Sequence, residues 1–257
     1  MPLSSVNTNS PTPRIFNLDE TDSTNLAMWR MLEASPGLDE WTIVQAAFQQ
    51  AGRGQAGSQW HSDKNDSLLY SVLLRPVFLK PGKQFILNKA IAIAICETLR
   101  SLWHEAQIVI KWPNDIYAGK HKIAGTLIEN RILGNTFELC VAGIGVNLNQ
   151  LRFPEHIPNP TSLKLISGQH HQPEKCANEL TENIRGLYEL LQMDETKAID
   201  NMYLDRLLGY GQTRAFEVNG EMLEAAITGV NEFGKLLLTD QQGRRTSYGM
   251  KEIRFLF

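Results

Sequence analysis

The sequence predicts an α+β fold: a central β-sheet flanked by helices, followed by a small C-terminal β-barrel. Three observations carry that reading. Short β-branched or apolar runs such as Trp41–Phe48, Leu68–Leu74 and Ile108–Lys111 are set off by polar or turn-forming residues, which marks them as strands. Two longer stretches, Lys83–Trp103 and Pro173–Leu191, have helical length and composition. From Gly211 onward the pattern changes to short strands punctuated by glycine turns, as in a small barrel.

Residues 1–13 are rich in Ser, Pro, Thr and Asn and read as a flexible tail, without the basic-then-apolar layout of a signal peptide. Arg14–Leu18 is a short strand candidate. It leads into Glu20-Thr21-Asp22-Ser23-Thr24-Asn25, a cluster of side-chain oxygens ahead of a helix that carries Leu26, Trp29 and Leu32 and stops at Ser35-Pro36-Gly37. Ser23 and Thr24 fit two roles there: helix capping, or hydroxyls that join the helix amides in gripping a polar ligand. The buried strand Trp41–Phe48 delivers the chain into Gln49–Trp60, where glycines 52, 54 and 57 surround Arg53. Such glycines let backbone approach a ligand closely, and the arginine offers a fixed fork of donors to carboxylate or phosphate. Alone, the loop is equally a plain turn. In Lys83–Trp103, alternating isoleucines look like a strand, but length and alanine content favour a buried helix.

Ile108–Lys111 is a strand ending on a lysine, and Pro113 forces a turn at Trp112-Pro113-Asn114-Asp115. Ile116-Tyr117 then leads through Gly119 into a hairpin strand, Lys122–Glu129; after Leu133-Gly134-Asn135, Phe137–Ile144 closes on Gly143-Ile144-Gly145-Val146-Asn147. Three strand ends thus present Arg53, Lys111 with Asn114 and Asp115, and Lys122. Each lysine singly is most simply a solvated charge. Together the cations suit a phosphate-bearing ligand, with Asp115 orienting a lysine or helping to hold a metal. Phe153–Pro173 is a connector with His170-His171 in a solvated loop. The helix from Pro173 places Leu180, Ile184, Leu187, Tyr188 and Leu191 on one face, and a second helix, Thr196–Leu208, ends at Gly209. The barrel strands are Arg214–Val218, Met222–Val230, Lys235–Thr239 and Arg244–Tyr248, with Asn219-Gly220 as a hairpin turn.

The 257 residues carry a formal net charge of -3, which gives no reason to expect non-specific nucleic-acid binding. No apolar run approaches the roughly 20 residues of a membrane span. Cys96, Cys140 and Cys176 are far apart and read as buried free thiols in a reducing cytoplasm. Neither a Ser/His/Asp or Cys/His nucleophile arrangement nor a metal-ligand cluster is recognisable.

Taken together, Asp22-Ser23-Thr24-Asn25, Gln49-Gln50-Ala51-Gly52-Arg53-Gly54, Lys111-Trp112-Pro113-Asn114-Asp115, Lys122-Ile123-Ala124-Gly125 and Gly143-Ile144-Gly145-Val146-Asn147 resemble the biotin–protein ligases, as do Thr161-Ser162-Leu163 and the C-terminal barrel. The resemblance runs through almost the whole chain from about residue 14. It implies a catalytic biotin/ATP-binding domain over 14–209, a central mixed sheet like that of class II aminoacyl-tRNA synthetases, and an SH3-like barrel over 210–257. It also implies two-step chemistry in the cytoplasm: biotin and Mg2+-ATP give biotinyl-5′-adenylate, then a lysine of a carboxylase biotin carboxyl carrier domain takes the biotin.

In that scheme Ser23, Thr24, Asn25 and Gln49 hold the biotin head, and Gly52, Gly125, Gly143 and Gly145 give close backbone contacts. Arg53 and Lys122 reach the carboxylate and α-phosphate. Lys111, Asn114, Asp115 and Asn147 face the nucleotide, its metal or the incoming lysine, and Trp60 packs over the adenylate or secures its loop. Arg53, Lys111, Asp115 and Lys122 are the catalytic candidates. The resemblance allows a homodimer through a sheet edge. Too few residues precede Ser23 for the DNA-binding domain of some members, so no DNA and no membrane partner is expected. Gln55, Ser58 and Gln59 stand where many members are basic, so adenylate retention would lean on Arg53 and Lys122. A lipoate–protein ligase is the near rival, although its Tyr-His-Asp-like segment is missing after Gly54. A non-catalytic adenylate sensor is the rival from another class, and both phosphate-facing cations weigh against it.

Overall fold

The computed structural model describes residues 12–256. The tail expected over 1–13 lies outside them except for its last two positions. The chain runs β1 (Arg14–Thr21), α1 (Thr24–Ala34), β2 (Thr42–Gln49), β3 (Ser67–Leu74), α2 (Gln84–Leu102), β4 (Ile108–Lys111), β5 (Asp115–Ala118), β6 (His121–Leu133) and β7 (Thr136–Asn147). Helices α3 (Leu163–Ser167), α4 (Pro173–Gln192) and α5 (Thr196–Arg206) follow. The last part is strands: β8 (Thr213–Val218), β9 (Glu221–Val230), β10 (Leu236–Asp240), β11 (Arg245–Tyr248) and β12 (Arg254–Phe255).

Among the described residues, seven strands form one mixed sheet in the order β1-β2-β3-β7-β6-β5-β4. Only β1 and β2 run parallel; the other neighbours are antiparallel. Alternation along a strand divides its side chains between two faces. On β3, Leu68, Tyr70, Val72 and Leu74 enter the large core with α2, α4 and α5, and Ala142, Ile144 and Val146 of β7 join them. The alanine-rich segment is helix α2, buried on nearly all sides, as its length and composition predict. On the opposite face α1 packs Ala27, Met28 and Leu32 against Val44, Leu73, Leu139 and Val141. Burying each of these larger aliphatic side chains contributes about 1.5–3 kcal/mol, which holds α1 in place. Beyond the apolar part of α1, that face of β6 and β7 carries Gly125, Gly143 and Gly145, with Asn25 at the start of α1 against Gly143.

The five remaining strands form a separate antiparallel sheet, β11-β10-β9-β8-β12. It is tied to the preceding part of the chain by Trp112 Nε1, just after β4, which donates to Gly234 O (2.9 Å), and by buried Lys89 of α2, which pairs with Asp200 of α5 (2.7 Å) and donates to Val230 O (3.3 Å).

Three expectations need correction. The 153–173 connector contains helix α3, where the Ser162 side chain accepts a capping hydrogen bond from Leu165 N (3.2 Å). His171 is not in a solvated loop. It is buried, its backbone exchanges hydrogen bonds with the Asn149 carboxamide (2.9 and 2.8 Å), and its ring nitrogen meets Ser167 Oγ at 2.8 Å. Desolvation lowers its pKa. Finally β12, a two-residue strand on β8, carries no periodicity by which it could be recognised. The three cysteines are buried free thiols, as expected.

Candidate active site

This glycine-bearing sheet face forms the floor of a cleft of about 1000 Å³. Gly125 of β6 pairs with Gly145 of β7, and Gly143 pairs with Leu127. The three glycines therefore share one face and leave bare backbone there. The floor has no slack. A Cβ on Gly143 would overlap the Asn25 carboxamide, and one on Gly145 would overlap the Trp60 indole.

One end of the cleft is a chain of neutral hydrogen-bonding groups. Ser23 occupies the N-cap position of α1, yet its side chain makes no capping bond. The capping reading is thus displaced: Gln49 Oε1 accepts from Thr24 N (2.7 Å) and from Thr24 Oγ1 (3.1 Å). Ser71, in the middle of β3, points its Oγ at Thr24 Oγ1 (2.7 Å) and Asn25 Oδ1 (2.6 Å). Asn25 Nδ2 donates to Leu127 O (3.1 Å) and Glu129 Oε2 (2.9 Å). Both polar atoms of Asn25 are therefore engaged within the protein.

The glycine loop closes over the floor. Trp60 N donates to Gly52 O (2.9 Å), and Gly54 N donates to Ser58 O (2.7 Å). Gly57 is the loop glycine with positive φ (85°). Gly52 and Gly54 are needed instead for room, since a Cβ would meet Trp60 O at the first and Ser58 Oγ at the second. Arg53 forms an ion pair with Glu129 at 2.9 Å. Trp60 ties the loop through its backbone, and its ring lies on the glycine floor, with Nε1 buried and without a hydrogen-bond partner.

At the other end lie the lysines. Lys122 Nζ is 2.6 Å from Asp115 Oδ1, an ion pair between the two. Lys111 is half-buried, donates to Tyr117 OH (3.3 Å), and lies over the Tyr117 ring and over Phe255 from the C-terminal sheet. Burial lowers its pKa, partly opposed by Asp115 and reinforced by Lys122. Burial, with Asp115 beside it, pushes the Tyr117 hydroxyl up to about 12. Asn114 is spent on Thr126, donating to its O (3.0 Å) and Oγ1 (2.6 Å). Asn147 donates to Thr161 O (2.9 Å), and its buried Oδ1 has no hydrogen-bond partner.

All the sequence-selected residues line this cleft. The sequence reading missed Ser71, Thr126, Glu129, and the C-terminal residues Met250, Ile253, Arg254 and Phe255 that line it from the second sheet. Among them only Ser71 left a signal, a small hydroxyl side chain in the mainly apolar run Leu68–Leu74.

A glycine-floored cleft with neutral hydrogen-bonding groups at one end and carboxylate-paired cations at the other defines a small-molecule site suited to an elongated ligand with an anionic centre. The chain belongs to the biotin/lipoate A/B protein ligase family, whose family model matches residues 19–147. It is 28% identical over 236 residues to a biotin–[acetyl-CoA-carboxylase] ligase of Paracoccus denitrificans, covering 89% of this chain and 95% of that one. It is 30% identical over 221 residues to the bifunctional ligase/repressor BirA of Bacillus spizizenii, covering 84% of this chain and 66% of that relative's length. In fold it is similar to a biotin protein ligase from Aquifex aeolicus in complex with biotin and ATP: TM-score 0.77, 24% identity, 95% of this chain and 99% of that one. Among the described residues no helix is long and apolar enough to cross a membrane.

Proposed function

We propose that the chain is an ATP-dependent biotin–protein ligase. The observation that carries this is the single cleft that joins the Thr24–Gln49–Ser71 end to the Arg53–Lys122 end across a backbone floor. In the first step a biotin carboxylate oxygen attacks the α-phosphorus of ATP, pyrophosphate leaves, and biotinyl-5′-adenylate forms. In the second, the deprotonated ε-amine of a carrier-domain lysine attacks the acyl carbon and AMP leaves. Neither step needs a protein nucleophile, so catalysis rests on placement and on cations at the α-phosphate.

Ser23, Thr24 and Gln49 would meet the ureido head, with Asn25 and Ser71 bracing them, while Gly52, Gly125, Gly143 and Gly145 admit the bicycle close to backbone. Arg53 and Lys122 would receive the carboxylate and α-phosphate, with Lys111 and Asp115 beside them. The unpartnered Asn147 Oδ1 is an acceptor for a nucleotide N–H, Trp60 packs against the adenylate, and Asn114 supports the turn. Among the described residues no group of three or more His, Cys, Asp or Glu is placed to hold a metal. Mg2+ keeps its waters and takes substrate phosphates plus one or two carboxylates; Asp115 would be the carboxylate at that end.

In our reading, residues 14–209 form the catalytic unit, like a class II aminoacyl-tRNA synthetase core. Residues 210–257 form an SH3-like barrel, supported by the glycine turns and by the register shift between Leu237 and Leu238. The substrate would be a carboxylase biotin carboxyl carrier domain, the compartment the cytoplasm, and a homodimer would pair through the open edge of β1.

Purified protein given Mg-ATP and biotin should release pyrophosphate and biotinylate a carrier domain, with biotin but not lipoate as substrate. A folded sample that transfers nothing refutes the assignment, and pyrophosphate release without transfer points to adenylate sensing. Arg53→Ala should raise adenylate escape by roughly 10- to 100-fold, in line with loss of one charge-assisted contact of about 1.5–3 kcal/mol. The readout is labelling of bystander lysines, and unchanged labelling removes Arg53 from that role.

A further inference from the structure

Glu129 is not among the residues lining the cleft, yet it touches two that do. It shares a strand face with Gly125 and Leu127 at two-residue steps along β6, so its side chain rises beside the floor. Its two carboxylate oxygens serve different elements. Oε2 accepts from Asn25 Nδ2 of α1 at 2.9 Å, and Oε1 pairs with Arg53 Nη2 of the glycine loop at 2.9 Å. Through Asn25 the chain of contacts continues to Ser71, Thr24 and Gln49, the far end of the cleft.

The two contacts differ in stiffness. Asn25 is held by Leu127 O, by Ser71 and by the steric edge at Gly143, so the Asn25 side of Glu129 has a fixed position. Arg53 is exposed on a short loop, and a single Nη2 contact leaves its remaining donors for a ligand's anionic oxygens. A long cationic side chain on a glycine loop otherwise samples many rotamers, and ordering them reduces the affinity of any ligand it grips.

We propose that Glu129 is a positioning residue for Arg53: it transmits the fixed geometry of the biotin-head end to the loop, presenting the guanidinium to the adenylate. The proposal rests on the ligase reading above and adds to it a residue that acts only through Arg53 and Asn25.

The test is Glu129→Gln in the full-length protein. The new side chain keeps an acceptor for Asn25 and puts an amide in place of the charge facing Arg53. Adenylate release should speed up about tenfold, within the range of couplings between neighbouring contacts. The biotin Kd should stay within about twofold by calorimetry. In an Arg53→Ala background the same change should have no further effect. A second readout needs no catalysis: trypsin should cut after Arg53 several-fold faster in ligand-free E129Q than in the unchanged protein. Unaltered release and unaltered cleavage overturn the proposal. So does an effect that survives Arg53→Ala, or an equal loss of biotin affinity and thermal stability, which would make Glu129 a structural strut. If the ligase reading itself fails, the parent protein forms no adenylate, while the tryptic difference still decides whether Glu129 holds Arg53.

Discussion

Lys122→Ala is expected to slow adenylate formation by about 10²–10³-fold while the protein stays folded. In the structure Lys122 Nζ sits 2.6 Å from Asp115, both side chains about one-third exposed (31% and 32%). An ion pair so open to water contributes about 0–1 kcal/mol to stability. Its loss should move Tm by no more than about 2–4 °C. The catalytic demand is different in kind. A cation aimed at charge that develops in the transition state, inside a partly desolvated cleft, is worth about 3–4 kcal/mol. Pyrophosphate release from Mg-ATP and biotin, followed beside a thermal melt, separates the two. A collapsed melting temperature would make the lysine structural, and full activity would remove it from the chemistry.

Gly143→Ala is expected to weaken biotin binding by about 10- to 100-fold, with ATP affinity little changed. The atoms nearest the added methyl are those of the Asn25 carboxamide. Asn25 cannot yield without breaking its bonds to Leu127 O, Glu129 and Ser71. Leaving one buried polar group unpaired costs about 1–3 kcal/mol, and each 1.4 kcal/mol is tenfold in affinity. Calorimetric titration with biotin measures the loss. Gly37→Ala is the matched control, because nothing lies near its Cβ position. Equal affinities in the two variants would show that Asn25 has more freedom than its contacts imply.

Much of the sheet could be read from the sequence, because β3, β4 and β7 are apolar or β-branched runs with clear stops. Helix α2 was ambiguous by period and was decided by length and alanine content. Helix α3 and strand β12 were missed because five and two residues are too short for a period to show. In the site, the motif residues lie close to strand ends, where glycine, lysine and asparagine break the apolar pattern. The groups that hold them were hidden for a different reason. Asn25 meets Glu129 across 104 positions, and Lys89 meets Val230 across 141. Such pairs leave no local trace, and Glu129 in isolation is an ordinary charge on a strand. At the helix start, where capping and ligand contact were both open for Ser23 and Thr24, the oxygen that satisfies Thr24 N comes from Gln49, a strand away.

The glycine floor also sets the direction in which the ligand range can change. Where pocket walls are side chains, a smaller residue enlarges the space and a larger one reduces it. At Gly125, Gly143 and Gly145 there is nothing left to trim, so every substitution there can only fill room. A variant able to take a bulkier acid would therefore have to gain its space elsewhere: from Leu127, from Thr126, or from the Trp60 ring that rests on the floor. Selection for a broader substrate range would leave the glycines untouched and appear first in the walls.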